Sequence, residues 1–178
     1  LSPGTIFTKE NTTGVSESGL TNDNSIVCKM TYGKFSMLFT GDAEEVEDQL
    51  LKEDIKADIL KVGHHGSKTS SSDAFIKAVA PQAATISCGV NNSYKFPHEP
   101  TLKTLQKYHV DVYRTDRNGV ITIKTDGSSY SIEKGMNKMK KELIGSIDRI
   151  TEQTAYIVLN DDEHELPISR RTPARRGR

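Results

Sequence analysis

Gly63-His64-His65-Gly66-Ser67 and the earlier stretch Phe39-Thr40-Gly41-Asp42 set the architecture of this chain. Each stretch follows a short apolar run of the kind that forms a buried strand. Phe35 to Thr40 precedes Asp42, and Asp58 to Val62 precedes the paired histidines. The pattern therefore predicts two strands that each deliver polar residues at their carboxyl ends.

The segment between these strands, Ala43 to Lys56, predicts a helix, because apolar residues recur at helical spacing among many charges. Strand, helix and strand form a βαβ unit, whose strands are parallel and whose crossover is nearly always right-handed. Asp42, His64 and His65 are therefore expected at one carboxyl-end edge of the sheet, where open α/β sheets bind ligands. The apolar positions of the helix are Val46, Leu50, Leu51 and Ile55.

One carboxylate and two imidazoles at a shared edge are suitable ligands for a divalent metal such as zinc or manganese. Adjacent side chains after a strand point in different directions. One of His64 and His65 could therefore bind metal while the other holds a substrate oxyanion or acts as acid or base. The alternative is a loop whose imidazoles cap backbone groups. Three flanking glycines are expected to adopt φ values that other residues resist. They are Gly41, Gly63 and Gly66.

The composition bounds the class of protein. The 178 residues suffice for one ordinary domain and a small appendage, and 24 acidic residues balance 24 basic ones. The chain as a whole therefore has no charge that would attract nucleic acid or a membrane, although Arg170 to Arg178 holds five arginines. Cys28 and Cys88 are expected to be buried thiols rather than a disulfide framework. No apolar run approaches membrane-spanning length, and the residues from Leu1 onward do not show the charged-then-apolar pattern expected of a leader.

The rest of the chain alternates strand and helix signals. Leu1 to Asn24 is predicted to be a loop with at most one short strand, because it is rich in Thr, Ser, Asn and Gly. A Ser/Thr loop up to Ser72 can cap the helix that follows it, and Pro100 suits the first turn of a later helix. The predicted strands are Ser25 to Tyr32, Ala83 to Cys88, Val110 to Arg114, Val120 to Lys124 and Ser129 to Ile132, and the predicted helices are Asp73 to Ala80 and the segment carrying Leu102, Leu105 and Tyr108.

Further polar residues follow the same strands. His98 ends a polar loop and serves either as a later metal ligand or as the neighbour of a helix N-terminus. Ser67 could cap a helix or contact phosphate, and Lys68 could contact substrate or lie on a solvated surface. Asn92 and Tyr94 could line a cleft or make a turn. These four are the candidate substrate-binding residues.

Five motifs follow one another in order along the chain. They are Asn22-Asp23-Asn24-Ser25-Ile26-Val27, Leu38-Phe39-Thr40-Gly41-Asp42-Ala43, Leu60-Lys61-Val62-Gly63-His64-His65-Gly66-Ser67-Lys68-Thr69-Ser70, Asn91-Asn92-Ser93-Tyr94-Lys95-Phe96-Pro97-His98, and Tyr113-Arg114-Thr115-Asp116 with Asn118-Gly119. Together they resemble the metallo-β-lactamase-fold domain of ComEC-type competence proteins over roughly residues 1 to 125. Because several motifs agree in order, the resemblance is specific.

The resemblance implies an αββα sandwich and a metal centre of zinc or manganese, with two ions in the complete protein. Asp42 would bridge the metals, and His64 and His65 would serve the metal or the scissile phosphate. His98 would occupy the later histidine motif, although many relatives have His-Pro-His where this chain has Phe96-Pro97-His98. The resemblance also implies DNA as substrate and an extracytoplasmic protein, either membrane-linked, with a channel domain, or secreted.

The resemblance also predicts the domain organisation. Residues 1–135 are expected to form the C-terminal half of the metallo-β-lactamase sandwich, because the N-terminal His-x-x-x-Asp-His-type cluster is absent from the sequence. Residues 136–143 are expected to be a linker. Residues 144–178 would form a small, truncated β-rich appendage, with strands at Ile144 to Ile150, Thr154 to Leu159 and Glu163 to Ile168.

The sequence therefore predicts a metal-dependent hydrolase, most simply a DNA phosphodiesterase linked to competence and DNA uptake. Lactone and thioester hydrolases share the fold, so the substrate follows from the resemblance alone. The second hypothesis is a non-catalytic module that holds the DNA backbone through Lys61, Lys68 and the arginine-rich end. The third is a chain without activity by itself, because one acid and two histidines bind metal weakly.

Overall fold

A computed structural model describes residues 17–44, 46–135, 147–150 and 155–159 of the chain. Within these ranges the strands form two sheets, one of five strands in the order β1-β2-β3-β4-β5 and one of four in the order β7-β6-β9-β8. The strands are β1 (Cys28–Tyr32), β2 (Phe35–Phe39), β3 (Ile59–Lys61), β4 (Ala83–Ile86), β5 (Asp111–Arg114), β6 (Ile121–Thr125), β7 (Tyr130–Lys134), β8 (Ile147–Ile150) and β9 (Ala155–Leu159).

The predicted helices lie between these strands in the expected order, and two further short helices are present, one before β1 and one after β5. Two 3₁₀ segments, Leu50–Lys52 and Gly63–Gly66, complete the described elements. The α-helices are α1 (Glu17–Asp23), α2 (Val46–Gln49), α3 (Asp73–Val79), α4 (Glu99–Lys107) and α5 (Thr115–Asn118).

The first sheet has the predicted connectivity. β1 and β2 form an antiparallel hairpin, and β2, β3, β4 and β5 pair in parallel. Leu38 pairs with Leu60, and Leu60 with Ala84, so the carboxyl ends of these strands share one edge. The predicted hairpin followed by βα units is therefore confirmed.

Alternating residues of this sheet pack against different layers. Leu60 lies in one apolar cluster with Phe75 of α3 and Leu105 of α4, all fully buried. Ile59, whose side chain points to the other face, lies in a second cluster with Ile123 of β6. The result is a helix layer, a mixed sheet and a second, antiparallel sheet. This layered α/β arrangement agrees with the predicted fold class.

The helices α3 and α4 follow their sequence signals closely. The Ser72 hydroxyl accepts a hydrogen bond from Phe75 N at 3.1 Å and caps α3, as predicted. Pro100 lies in the first turn of α4, also as predicted. Ile76 and Val79 are fully buried, in keeping with the apolar face assigned to α3.

Three predictions about local structure are wrong. Residues 17–23 form α1 rather than a loop, and Asp23 at its end is buried and accepts hydrogen bonds from the backbone N–H groups of Glu44 and Val46, where α2 begins. The predicted helix Ala43 to Lys56 is only α2 and one 3₁₀ turn. Cys28 is exposed because it lies on β1, the edge strand of its sheet, whereas Cys88 is buried as expected.

The strands predicted in the tail are confirmed where the structure describes them. β9 pairs antiparallel with both β6 and β8, so these strands extend the sheet begun by the β6–β7 hairpin. The predicted strand Glu163 to Ile168, the linker at 136–143 and Arg170 to Arg178 lie outside the described residues. The division into domains stays a prediction. Among the described helices, none has the length and apolarity required to cross a membrane.

Candidate functional site

Two loops meet where β2 and β3 end. β2 ends at Phe39 and β3 at Lys61, residues that pair in parallel register. The backbone N–H of His64 donates a hydrogen bond to the Gly41 carbonyl at 3.0 Å, and so ties the two loops together. The expected convergence of Asp42, His64 and His65 at one edge of the sheet is therefore confirmed in the geometry. Their chemical roles stay predictions.

His65 and Asp42 face each other. The Nε2 atom of His65 lies 3.6 Å from Oδ1 of Asp42, and both side chains are about half exposed. The other ring nitrogen, Nδ1, lies 2.8 Å from the Ser87 carbonyl oxygen, which can only accept. Nδ1 is therefore the donor in this contact, and in that tautomer Nε2 presents its lone pair to the carboxylate. Two such acceptors are favourable neighbours when a cation lies between them, either a proton on Nε2 or a metal ion.

Glu44 forms a second acid–imidazole pair with His64. Oε1 of Glu44 lies 2.8 Å from Nδ1 of His64, in a partly buried position. This Nδ1 atom has no hydrogen-bond partner among the described residues. The two atoms are therefore close, but their geometry is not that of a hydrogen bond. Asn22 of α1 donates to the same Glu44 oxygen at 2.6 Å and fixes its position. Sequence reasoning missed Glu44, although its position two residues after Asp42 was an available signal.

The two histidines occupy unusual backbone conformations. His64 has φ 44° and His65 has φ 54°, both in the left-handed region that L-residues with side chains seldom adopt. Each such residue costs on the order of 1–3 kcal/mol, and such strain is concentrated at functional sites. The conformation turns the two rings apart, with centroids 6.2 Å from each other. One ring therefore faces Asp42 and the other faces Glu44.

The flanking glycines have two different roles. Gly41 and Gly66 have φ of 54° and 82°, as predicted. Gly63 has no positive φ, so the prediction is wrong for this residue, and space explains the glycine instead. A Cβ on Gly63 would lie 2.7 Å from Oε1 of buried Glu47. A Cβ on Gly66 would lie 2.5 Å from Cβ of Pro97. The paired histidines thus lie between two glycines whose backbone packs closely, Gly63 against Glu47 and Gly66 against Pro97.

Buried charge lies directly behind this loop. Burial raises the pKa of Glu47 to about 8, an effect that the backbone N–H of Ser71 partly offsets. Burial also lowers the pKa of the Lys61 ammonium, while Asp42 acts in the opposite direction. The Lys61 ammonium donates to the Val62 carbonyl at 2.9 Å. Lys61 is partly buried, so its ammonium is not a solvated surface charge.

Both ring nitrogens of His98 already contact the backbone of neighbouring loops. Its Nδ1 atom accepts a hydrogen bond from the backbone N–H of Lys68 at 3.0 Å, and Nε2 lies 3.2 Å from the Tyr94 carbonyl. His98 is also the residue that precedes α4. Because both ring nitrogens have backbone partners, a metal ion would have to displace one of them. The predicted ligand role of His98 stays a prediction.

Asn92 likewise supports the loop that it belongs to. Its amide nitrogen donates to the carbonyls of Gly89 and Phe96 at 2.9 and 2.8 Å, and its amide oxygen accepts from Phe96 N at 2.8 Å. The buried Ser67 hydroxyl pairs with Thr69. Lys68 and Tyr94 are exposed beside the site, so of the four candidate substrate contacts these two are open to solvent.

The donor atoms fit a divalent ion in kind but not in number. Asp42 Oδ1 and His65 Nε2 are oxygen and nitrogen ligands of the type that zinc and manganese take in proteins. Within residues 17–44, 46–135, 147–150 and 155–159, no three His, Cys, Asp or Glu side chains come together as a metal site. A catalytic zinc usually has three protein ligands. The described residues therefore offer part of such a site.

A cavity of about 540 Å³ lies elsewhere, between the two sheets at the amino ends of the parallel strands. Asp58, Gln82 and Tyr130 are among its lining residues. Asp58 already accepts from the backbone and the hydroxyl of Ser36. The cavity is separate from the strand-end loops.

A layered α/β domain with acid and imidazole groups at the carboxyl edge of its sheet is the arrangement of the metallo-β-lactamase class. Residues 11–90 match the Metallo-beta-lactamase superfamily. The fold class that the sequence predicted is thereby confirmed. Divalent metals are common in this superfamily, and its members are generally hydrolytic.

Three curated relatives are competence or recombination proteins by name. ComE operon protein 3 of Bacillus subtilis is 46% identical over 103 residues, which are 56% of this chain and 13% of that protein. Recombination protein 2 of Haemophilus influenzae is 41% identical over 57% of this chain and 13% of its own length. Competence protein ComA of Neisseria gonorrhoeae is 35% identical over 56% of this chain and 15% of its own length.

These matches confirm the resemblance to competence proteins that the sequence motifs indicated. The chain spans about 13–15% of the length of these relatives. The activity of the longer proteins as a whole therefore cannot be assigned to these residues from the matches.

Proposed function

We propose that this chain supplies the Asp42/His65 edge of a metal-dependent phosphodiesterase that acts on DNA during competence. The observation that carries the proposal is the 3.6 Å approach of Asp42 Oδ1 to His65 Nε2, with the opposite ring nitrogen already bound to Ser87. The competence and recombination relatives support DNA as the substrate. The superfamily match supports hydrolysis as the reaction.

The chain's own residues would bind and orient. Ser87 fixes the tautomer of His65, so Nε2 is the nitrogen available to a metal ion, as in sites where a second hydrogen bond orients a ligating histidine. Asp42 would be the other ligand. A divalent ion held there, zinc or manganese, would act as a Lewis acid for negative charge that develops on a phosphoryl oxygen. Residues other than Asp42 and His65 would complete the coordination of this ion and hold a second one.

His64 is suited to a different task. It is partly buried, and Glu44 lies against its Nδ1 atom. The carboxylate places a proton acceptor beside the ring, so His64 with Glu44 is suited to transfer a proton to the leaving oxygen. We assign His65 to the metal and His64 to proton transfer on this basis. The predicted extracytoplasmic location and the predicted membrane channel domain belong to the same proposal.

The proposal is tested on the full chain with single-stranded and duplex DNA in the presence of manganese or zinc. His65→Asn and Asp42→Ala are expected to lower the rate of hydrolysis by about 100-fold or more. His109→Asn is the matched control, because His109 is exposed and has φ 56°, close to that of His65. Asn suits the left-handed region at both positions. Unchanged metal affinity and rate in both site variants would remove Asp42 and His65 from the reaction.

A non-catalytic DNA-binding module is the second candidate, favoured by exposed Lys68 beside the site. The ammonium of Lys61 is already bound to a carbonyl and fits this function less well. Phosphate contacts make binding fall steeply as salt rises. Steeply salt-dependent DNA binding without hydrolysis under manganese or zinc would favour the binding module over the phosphodiesterase.

A further inference from the structure

Three rings lead outward from the Asp42/His65 pair in a near-parallel series. The ring of Phe96 stacks on His65, with centroids 5.9 Å apart and planes 21° apart. The ring of Tyr94 stacks on Phe96, with centroids 5.5 Å apart and planes 15° apart. Tyr94 is 69% exposed at the outer end of the series. We call these three residues the ring series.

The loop that carries Tyr94 is held in place by side chains. Asn92 binds the backbone of Gly89 and both backbone groups of Phe96. The carbonyl of Tyr94 lies 3.2 Å from His98 Nε2, and the other nitrogen of His98 binds Lys68 N. An aromatic ring on such a preorganised loop loses less conformational entropy when a ligand stacks on it than a ring on a free loop.

We propose that Tyr94 is a base-stacking residue, and that the DNA taken by the Asp42/His65 site therefore has an unpaired base at this position. The inference rests on the phosphodiesterase proposed above. An aromatic ring can stack on any base, because every base has a π-face. Inside a duplex those faces are covered by neighbouring pairs, so only an unpaired or terminal base can cover Tyr94.

The position of Tyr94 relative to the site supports a nucleotide rather than an isolated apolar contact. Single exposed apolar residues are common on protein surfaces and need no ligand. Tyr94, however, ends a stack whose inner ring faces Asp42. Lys95 and Lys68 are exposed beside it and can pair with phosphates. A base on Tyr94 would thus keep its own strand next to the proposed reacting centre.

A DNA-binding measurement without metal tests the stacking role of Tyr94 separately from hydrolysis. The full chain, kept free of divalent metal by EDTA, is titrated into a fluorescein-labelled oligothymidylate and into an abasic oligonucleotide of equal length and charge. Fluorescence anisotropy then gives both dissociation constants. The wild type is expected to bind oligothymidylate about 5- to 150-fold more tightly than the abasic strand, the range given by one stacked base.

Variants identify the residue that reads the base. Tyr94→Leu is expected to remove the preference for oligothymidylate and leave the affinity for the abasic strand unchanged, whereas Tyr94→Phe is expected to restore the preference. Val90→Ala is the control, since Val90 is an exposed apolar residue of the same loop, at 63%. It is expected to change neither constant.

The outcomes distinguish the two proposals. Equal binding of both strands, together with metal-dependent DNA hydrolysis, would overturn the stacking role and leave the phosphodiesterase intact. A base preference that survives in Tyr94→Leu would also overturn it. Failure to bind or hydrolyse any DNA would remove the phosphodiesterase and the stacking role together.

Discussion

The buried carboxyl group of Glu47 accepts a hydrogen bond from the backbone N–H of Ser71, a residue with φ 60°. Its other oxygen, Oε1, has no partner among the described residues and lies only 2.7 Å from the position that a Cβ on Gly63 would take. Glu47 thereby joins α2 to the loop before α3 and packs behind the backbone that carries His64. The segment between β3 and α3 therefore packs at both of its ends against one buried acid.

Glu47 is expected to make the stability of the chain depend on pH. Its pKa is about 8 in the folded chain against an ordinary value of 4.5, because burial disfavours the charged form. Below the lower value the group is protonated in both states, so its contribution is fully present. As pH rises through that interval the unfolded chain loses the proton first, and stability falls by up to about 1.4 kcal/mol per pH unit.

Thermal unfolding between pH 4.5 and pH 8, the two pKa values of Glu47, measures this effect. Glu47→Gln keeps the shape of the side chain but removes the titrating group. The Tm of this variant is therefore expected to fall much less than that of the wild type between the two pH values. Asp48→Asn is the matched control, because Asp48 is the next residue along α2 and is exposed. Parallel curves for wild type and Glu47→Gln would contradict the assignment.

Gly66→Ala is expected to lower the free energy of unfolding by at least about 2 kcal/mol, since the alanine would be strained at positive φ and would clash. Gly66 has φ 82°, and a Cβ there would lie 2.5 Å from Pro97 Cβ, within backbone that holds the ring series. Urea unfolding measures the change. A variant as stable as the wild type would show that this approach is looser than the structure places it.

Ala80→Gly is expected to have the opposite sign, a gain of roughly 0.5–1 kcal/mol. Ala80 ends α3 in the left-handed region, with φ 47° and ψ 49°, where glycine is the favoured residue. Its side chain is exposed, so little packing is lost. The same urea experiment serves, and a destabilised Ala80→Gly variant would argue against strain at this helix end.

The two cysteines are expected to differ sharply in reactivity. Burial raises the pKa of Cys88 to about 11, and its thiol lies 3.3 Å from Asp116, so thiolate is scarce near neutral pH. Cys28 is exposed. At pH 8 a thiol reagent such as DTNB is therefore expected to label one cysteine quickly in the folded chain. Cys28→Ser should abolish that fast phase, and its persistence would contradict the assignment.

The sequence predicted the elements whose stability comes from periodic burial. Phe75, Ile76 and Val79 recur on one face of α3 and are fully buried, so hydrophobic spacing alone was sufficient to find that helix. The same reasoning located β2 and β3 and hence the meeting of Asp42 with the paired histidines. Parallel pairing makes that meeting a consequence of chain order.

The remaining features depend on tertiary contacts that leave no periodic signal. The sequence of α1 has Leu20 as its one large apolar residue, and the helix is held by Asp23 contacts to the backbone of residues 44 and 46. Short helices of this kind draw their stability from packing rather than propensity. Glu44 was assigned to a helix that begins only at Val46, so its approach to His64 was not foreseen.

Zinc is expected to bind His65 before the other histidines. In the metal-free chain, long-range ¹H–¹⁵N spectra should show His65 protonated at Nδ1, because that atom donates to Ser87. Added zinc should then shift the Nε2 signal of His65 and leave His98 in place, since both nitrogens of His98 are bound to backbone. Asp42→Asn should weaken the response at least about 10-fold, since loss of even an outer-shell partner costs that much at metal sites and Asp42 is a proposed ligand. The signal that disappears in His109→Asn is thereby assigned to His109. In the other samples this exposed ring serves as the control, because neither zinc nor Asp42→Asn should shift its signal. A shift of His98 together with His65 would restore His98 as a ligand, whereas an unmoved His65 signal would show that the cation facing Asp42 is a proton.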